Sequence, residues 1–112
     1  MEKKERIIQE FVPGKQLNLA HIIAHPNESL YTRLGITEPG AIGILTVTPT
    51  ETAIIAADIA TKSAHVEIGY LDRFTGSVVI VGDLSDVETA IRHINEFFVN
   101  TLKFSTAEIT RS

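Results

Sequence analysis

Four histidines, at positions 21, 25, 65 and 93, are the residues with the most obvious capacity for metal chemistry. His21 and His25 are four apart, but they flank the end of a predicted strand. Four residues of extended chain span roughly 13 Å, too far to share one ion. They read instead as surface or edge histidines. No Gly-x-Ser-x-Gly elbow is present to raise a serine nucleophile. Glu51 and Asp58 lie seven apart on a predicted helix, where capping and solvent exposure explain them better than acid–base work. Gly40-Ala41-Ile42-Gly43 lacks the third glycine of a phosphate loop and precedes a strand instead of a helix. Cysteine is absent, which excludes disulfides, thiolate nucleophiles and cysteine-held metals. The expectation is no catalytic set, no metal and no cofactor.

The elements that would carry any site fit in one domain. At 112 residues, 44% apolar and 21% charged, the chain matches an ordinary globular domain. A formal net charge of −4 leaves no cationic excess to neutralise phosphates, so nucleic acid is not an expected partner. The charged start, Met1 to Arg6, leads into no long apolar stretch. It reads as no signal peptide, and no window is long enough to span a membrane. A cytoplasmic location is expected.

Gln16 to Ile23 begins with strand-like alternation. Asn27 can cap a short helix through Leu34, with Gly35 at its C-terminal end. A strand is predicted over Ala41 to Val47. Thr48-Pro49-Thr50-Glu51 then reads as a capping box with proline in the first turn, opening an alanine-rich helix to about Ser63. On it Asp58 and Lys62 can pair at i,i+4. Val66 to Leu71 and Ser77 to Val81 read as strands joined by a hairpin loop, Asp72 to Gly76. Ser85-Asp86-Val87-Glu88 reads as a second capping box. Its helix puts Val87, Ala90, Ile91, Ile94, Phe97 and Phe98 on one apolar face. Phe104 to Thr110 can form a last strand. The central order, strand–helix–strand–strand–helix–strand, is the split βαβ pattern of ferredoxin-like α+β domains.

Ile7-Ile8-Gln9-Glu10-Phe11-Val12 is a short predicted strand cut off by Pro13-Gly14. A strand so isolated is not stable alone. It has to pair with its own sheet, as an added edge strand, or with other copies of itself in a ring that leaves no free edge. Phe74, at the hairpin tip, either folds back on its own domain or meets other chains.

Five segments together resemble the circularly permuted shell proteins of bacterial microcompartments, with ethanolamine- and propanediol-utilisation members the most similar. They are Phe11 to Gln16, Leu19-Ala20-His21, Ala41 to Ile44, Ala57 to Ser63, and Leu71 to Gly76. The resemblance runs from about Arg6 to Ser112. It implies a homohexameric tile that packs edge to edge, by self-assembly, into a shell enclosing metabolic enzymes. It also implies a permuted ferredoxin-like α+β domain over residues 15–112, preceded by a strand in 1–14. That strand, Ile7, Ile8, Gln9, Glu10, Phe11 and Val12, would build an intersubunit β-barrel over the hexamer centre. Which of Gln16 to Gly35 and Phe104 to Thr110 sits where in the sheet stays open. Asp72, Arg73, Phe74, Thr75 and Gly76 correspond to the loop around the central pore. Lys62 corresponds to an edge lysine that packs against its counterpart on the next tile. His65 and His25 stand where the family commonly has Asn and Arg at that edge. Gly40, before a strand, is a candidate bending point of the hexamer.

The resemblance implies other shell proteins, and encapsulated enzymes or their targeting peptides, as partners. Ethanolamine, propanediol and choline utilisation all remain open as the enclosed pathway. Two other classes fit the residues less well. One is a small-molecule-binding regulatory domain of ferredoxin-like fold, which would need a ligand pocket between subunits. The other is a small isomerase-like enzyme, for which no nucleophile or metal motif is present.

Overall fold

In a computed structural model, residues 14–34, 40–106 and 108–112 are described. The predicted strand Ile7 to Val12 and the C-capping role of Gly35 lie outside these residues. The described chain runs β1 (Gln16–Ile23), α1 (Glu28–Leu34), β2 (Ala41–Thr48), α2 (Ala53–Ser63), β3 (Glu67–Asp72), β4 (Ser77–Gly82), α3 (Leu84–Asn100), β5 (Ser105–Thr106) and β6 (Ile109–Arg111). The strands form one mixed sheet in the order β3-β4-β2-β1-β5, with β6 also paired to β1. This is an α+β arrangement.

The sheet resolves which strand neighbours β2. β1 lies antiparallel to β2, from Gln16 opposite Thr48 to Ile23 opposite Ile42. The C-terminal pieces β5 and β6 lie outside it, parallel to β1. The tail is thus two short edge pieces, not one strand inside the sheet.

Both long helices cover one face. α3 buries Val87, Ala90, Ile91, Ile94 and Phe98 against the sheet. Phe97, placed by periodicity on the same apolar face, is 37% exposed on its flank. α2 buries Ala53, Ala56, Ala57 and Ala60, whose small side chains let the helix lie close to its neighbours. Phe104 closes the core with its ring edge-on to Phe98, centroids 4.7 Å apart.

Neither capping box forms. Thr48 ends β2, and its hydroxyl accepts a hydrogen bond from the Asn18 amide at 2.9 Å, so it is engaged across the sheet. A 3-10 turn, Thr50–Thr52, follows, and the Thr52 hydroxyl donates to the Pro49 carbonyl at 2.6 Å. α2 then starts at Ala53. α3 starts one residue before Ser85, with Asp83 as its N-cap and no side-chain capping bond; the Val87 N–H bonds the Asp83 carbonyl at 2.9 Å.

Candidate assembly surfaces

The register of the strands separates the sequence-predicted residues onto two ends of the sheet. At one end Asp72 pairs with Ser77, Ser77 with Thr46, and Gln16 with Thr48. The loop Arg73 to Gly76 and the entry into β1 therefore share that end. The Val47 N–H donates to the Gly76 carbonyl at 2.9 Å, and the Ser105 N–H to the Lys15 carbonyl at 3.0 Å. At the other end Glu67 pairs with Val81, Ala41 with Gly82, and Ile23 with Ile42. His65, Gly40 and His25 lie just beyond those strand ends. The six-residue strand β4 separates the two groups by roughly 17 Å.

The hairpin is built around one carboxylate. Asp72 accepts the Phe74 N–H at 2.9 Å and the Tyr70 hydroxyl at 3.3 Å. The Phe74 N–H, above all, holds the Asp72 carboxyl below the ordinary aspartate range, against a smaller opposing effect of desolvation. The Thr75 and Tyr70 hydroxyls add to the lowering. The Gly76 N–H bonds the Asp72 carbonyl at 2.9 Å, and Gly76 takes φ +77°, a conformation glycine adopts without penalty. Phe74 does not fold back on its domain. It is 77% exposed, and the Arg73 guanidinium stacks 4.9 Å from its ring centroid. Tyr70 escaped the sequence reading, although its i,i+2 spacing from Asp72 on a strand put both on one face.

At the opposite end backbones approach closely. A β-carbon on Gly40 would lie 2.7 Å from the Gly82 carbonyl oxygen, and one on Gly82 would lie 3.0 Å from the His65 carbonyl oxygen. Gly82 is thus packed between Gly40 and His65, a role its sequence context did not signal. His25 and His65 are both exposed. Lys62, in the last turn of α2, pairs with Asp58 at 3.0 Å on the exposed side of that helix.

His21 is engaged within its own sheet edge. Its Nδ1 lies 2.6 Å from the Thr110 hydroxyl and its Nε2 2.8 Å from the Ser112 hydroxyl. Both ring nitrogens are thereby engaged, and the Thr110 hydroxyl also donates to the Ala20 carbonyl at 3.3 Å. Among the described residues no group of three or more His, Asp or Glu could hold a metal ion, and no helix is long and apolar enough to cross a membrane.

Comparison with known proteins places this geometry. The family model for the BMC domain matches residues 41–111. The bacterial microcompartment shell protein CutR of Streptococcus intermedius is 56% identical over 110 residues, covering 98% of this chain and 95% of that one. The shell protein PduU of Salmonella typhimurium is 54% identical over 109 residues, covering 96% and 94%. A CutR flat hexamer subunit superposes with a TM-score of 0.86 at 53% identity, covering 99% of this chain and 97% of that one. A CutR screw form gives 0.87 at 54% identity, covering 89% and 100%.

Proposed function

Because this chain belongs to the BMC-domain family of bacterial microcompartment shell proteins, we infer that its work is structural: it is a shell subunit, not an enzyme, and assembles as a hexamer. The observation that carries this is the near-complete superposition on a subunit of a flat hexamer. Its partners are first its own copies and then other shell proteins. Encapsulated enzymes or their targeting peptides are further partners in this reading, and the shell lies in the cytoplasm.

The domain is read as circularly permuted, with β1 and α1 moved ahead of β2. The position of β1 beside β2, with the C-terminal pieces displaced to the edge, supports this. The hairpin Asp72 to Gly76 surrounds the central axis of the tile. Support comes from Phe74, an exposed aromatic held at the tip of an ordered loop. Ile7 to Val12 form a six-stranded barrel over the same axis. Entry into β1 at the hairpin end of the sheet supports that, since the segment ahead of Gly14 joins the described chain at that end.

Lys62, His65 and His25 form the tile edge. His65 and His25 lie at the sheet end opposite the hairpin, and Lys62 is exposed in the last turn of the helix that precedes His65. Gly40 is the point at which the hexamer bends. Its side-chain-free contact with Gly82 supports this, as does the occurrence of a CutR relative in both flat and screw forms.

The native mass tests the assembly. A value near six times 12.3 kDa is expected, and deletion of residues 1–12 should leave a hexamer without its axial barrel in electron micrographs. A monomer, dimer or trimer would overturn the tile.

A further inference from the structure

Three backbone segments meet at the sheet end that carries Gly40. β2 starts at Ala41, opposite Gly82, the last residue of β4. β4 runs directly into α3, whose N-cap is Asp83. On the other side of Gly82 the chain turns from α2 into β3. There the Ala64 N–H bonds the Ala60 carbonyl at 3.3 Å and the Val66 N–H bonds the Ala64 carbonyl at 3.0 Å. The Gly82 carbonyl lies against Gly40, and the His65 carbonyl lies against Gly82, with no side chain between the layers.

Backbone conformation does not call for glycine at either position. Among the described glycines Gly76 has a positive φ, and Gly40 and Gly82 do not. What these two supply is space. The layers also differ in how firmly they are held. Val66 is buried in the core, which ties the His65 turn to the domain. Gly82 adjoins the N-cap of a helix that buries Val87, Ala90, Ile91, Ile94 and Phe98, which ties the end of β4 as well. Two layers are therefore fixed, and any shift at this corner falls to the entry into β2. A methyl on Gly82 would point at those fixed neighbours, 3.0 Å from the His65 carbonyl oxygen and 3.1 Å from Val66 Cγ1. A packed interior absorbs such a contact by displacement, here of Gly82 back against Gly40.

We propose that Gly82 sets the curvature of the tile together with Gly40: the end of β4 is the seat on which the entry into β2 shifts, and the His65 turn behind it holds that seat in place. This rests on the reading of Gly40 as the bending point, and the test separates the two.

The test compares the wild-type chain with Gly82→Ala, Gly40→Ala and the double variant Gly82→Ala/Val66→Ala. Native mass reports the hexamer, and electron microscopy reports the curvature of its assemblies. Gly82→Ala should remain hexameric and narrow the spread of curvature about twofold or more, because a displaced seat leaves fewer positions for Gly40. The double variant should regain most of the wild-type spread, since it removes Val66 Cγ1, one of the two contacts the methyl meets. A Gly82→Ala tile with the wild-type spread overturns the proposal, and so does a double variant as restricted as the single one. Where Gly82→Ala forms no hexamer, amide exchange in the wild-type chain decides. Protection at residues 40 and 82 should differ between flat and curved assemblies, and equal protection overturns the proposal. A wild-type tile of one fixed curvature that Gly40→Ala leaves unchanged sinks the bending reading itself, and this inference with it.

Discussion

The carbonyl oxygen of Gly76 accepts the Val47 N–H at 2.9 Å, and a β-carbon on Gly76 would collide with the carbonyl oxygen of Val47. The hairpin is thereby tied to β2 by a contact that only glycine permits. Gly76→Ala has to place a side chain at φ +77° as well as relieve the collision. The expected loss is about 2 kcal/mol or more of unfolding free energy in urea titration. Gly14→Ala is the control: no atom lies within 4 Å of its would-be β-carbon, and the change should stay within about 0.5 kcal/mol.

Lys103 is the opposite case. It follows the last turn of α3 at φ 62°, where the N–H groups of Thr101 and Leu102 both bond the Phe97 carbonyl. A left-handed residue here ends the helix, and glycine does so without a Cβ penalty. Lys103→Gly should stabilise the subunit by about 0.5–1 kcal/mol, read as a raised melting temperature in calorimetry.

The sequence made the element order legible because the hydrophobic periods are clean. α3 buries the positions its 3.6-residue spacing marked, Phe97 excepted, and β3 and β4 fall within a residue of their predicted limits. The helix starts were misread for a physical reason. Thr48 has the right type and spacing for a cap, but its hydroxyl is engaged by Asn18, 30 residues away in sequence. Nothing local to Thr48 could signal that partner. The neighbour of β2 was likewise undetermined, since β1 and the C-terminal tail are both short and half-apolar, and only long-range pairing separates them. Of the candidate assembly residues, the hairpin and Lys62 were visible in sequence. Gly82 was not, because its importance lies in backbone contacts with Gly40 and His65, distant in sequence, and Tyr70 was missed although its partner Asp72 is two residues on in the same strand.

Asp72 gives a pH dependence with a defined sign. Its folded-state value is lowered from 3.8, chiefly by the Phe74 N–H, so its contribution is fully present above the unfolded value. That contribution is lost as pH falls from 3.8 through the lower folded value. Asp72→Asn should therefore melt below the wild-type chain at neutral pH, and the two should converge in strong acid. Melting curves between about pH 7 and pH 2 check this, and a gap that stays constant would contradict it.

Gly43 faces α3, and a β-carbon there would lie 2.7 Å from Ile91 Cδ1 and 3.0 Å from both Ile80 Cγ1 and Val87 Cγ1. Gly43→Ala should cost about 1–3 kcal/mol by overpacking. Ile91→Val removes the nearest methyl, so the double variant should lose less than the sum of the two single changes. Additive losses in urea unfolding would show that the core relaxes elsewhere.

The two ends of the sheet also give the subunit two addresses. Ser112 is held at the far end, its N–H on the Ile22 carbonyl and its carbonyl on the Ala24 N–H, while Gln16 starts β1 beside the hairpin. In the proposed tile, with the hairpin about the central axis, a passenger joined ahead of residue 14 would be delivered six-fold onto that axis, where steric crowding limits its size. In the same proposed tile, a passenger joined after Ser112 would be spread around the rim. For anyone loading such a tile, the choice of attachment point is a choice between a single crowded cluster and six separate berths.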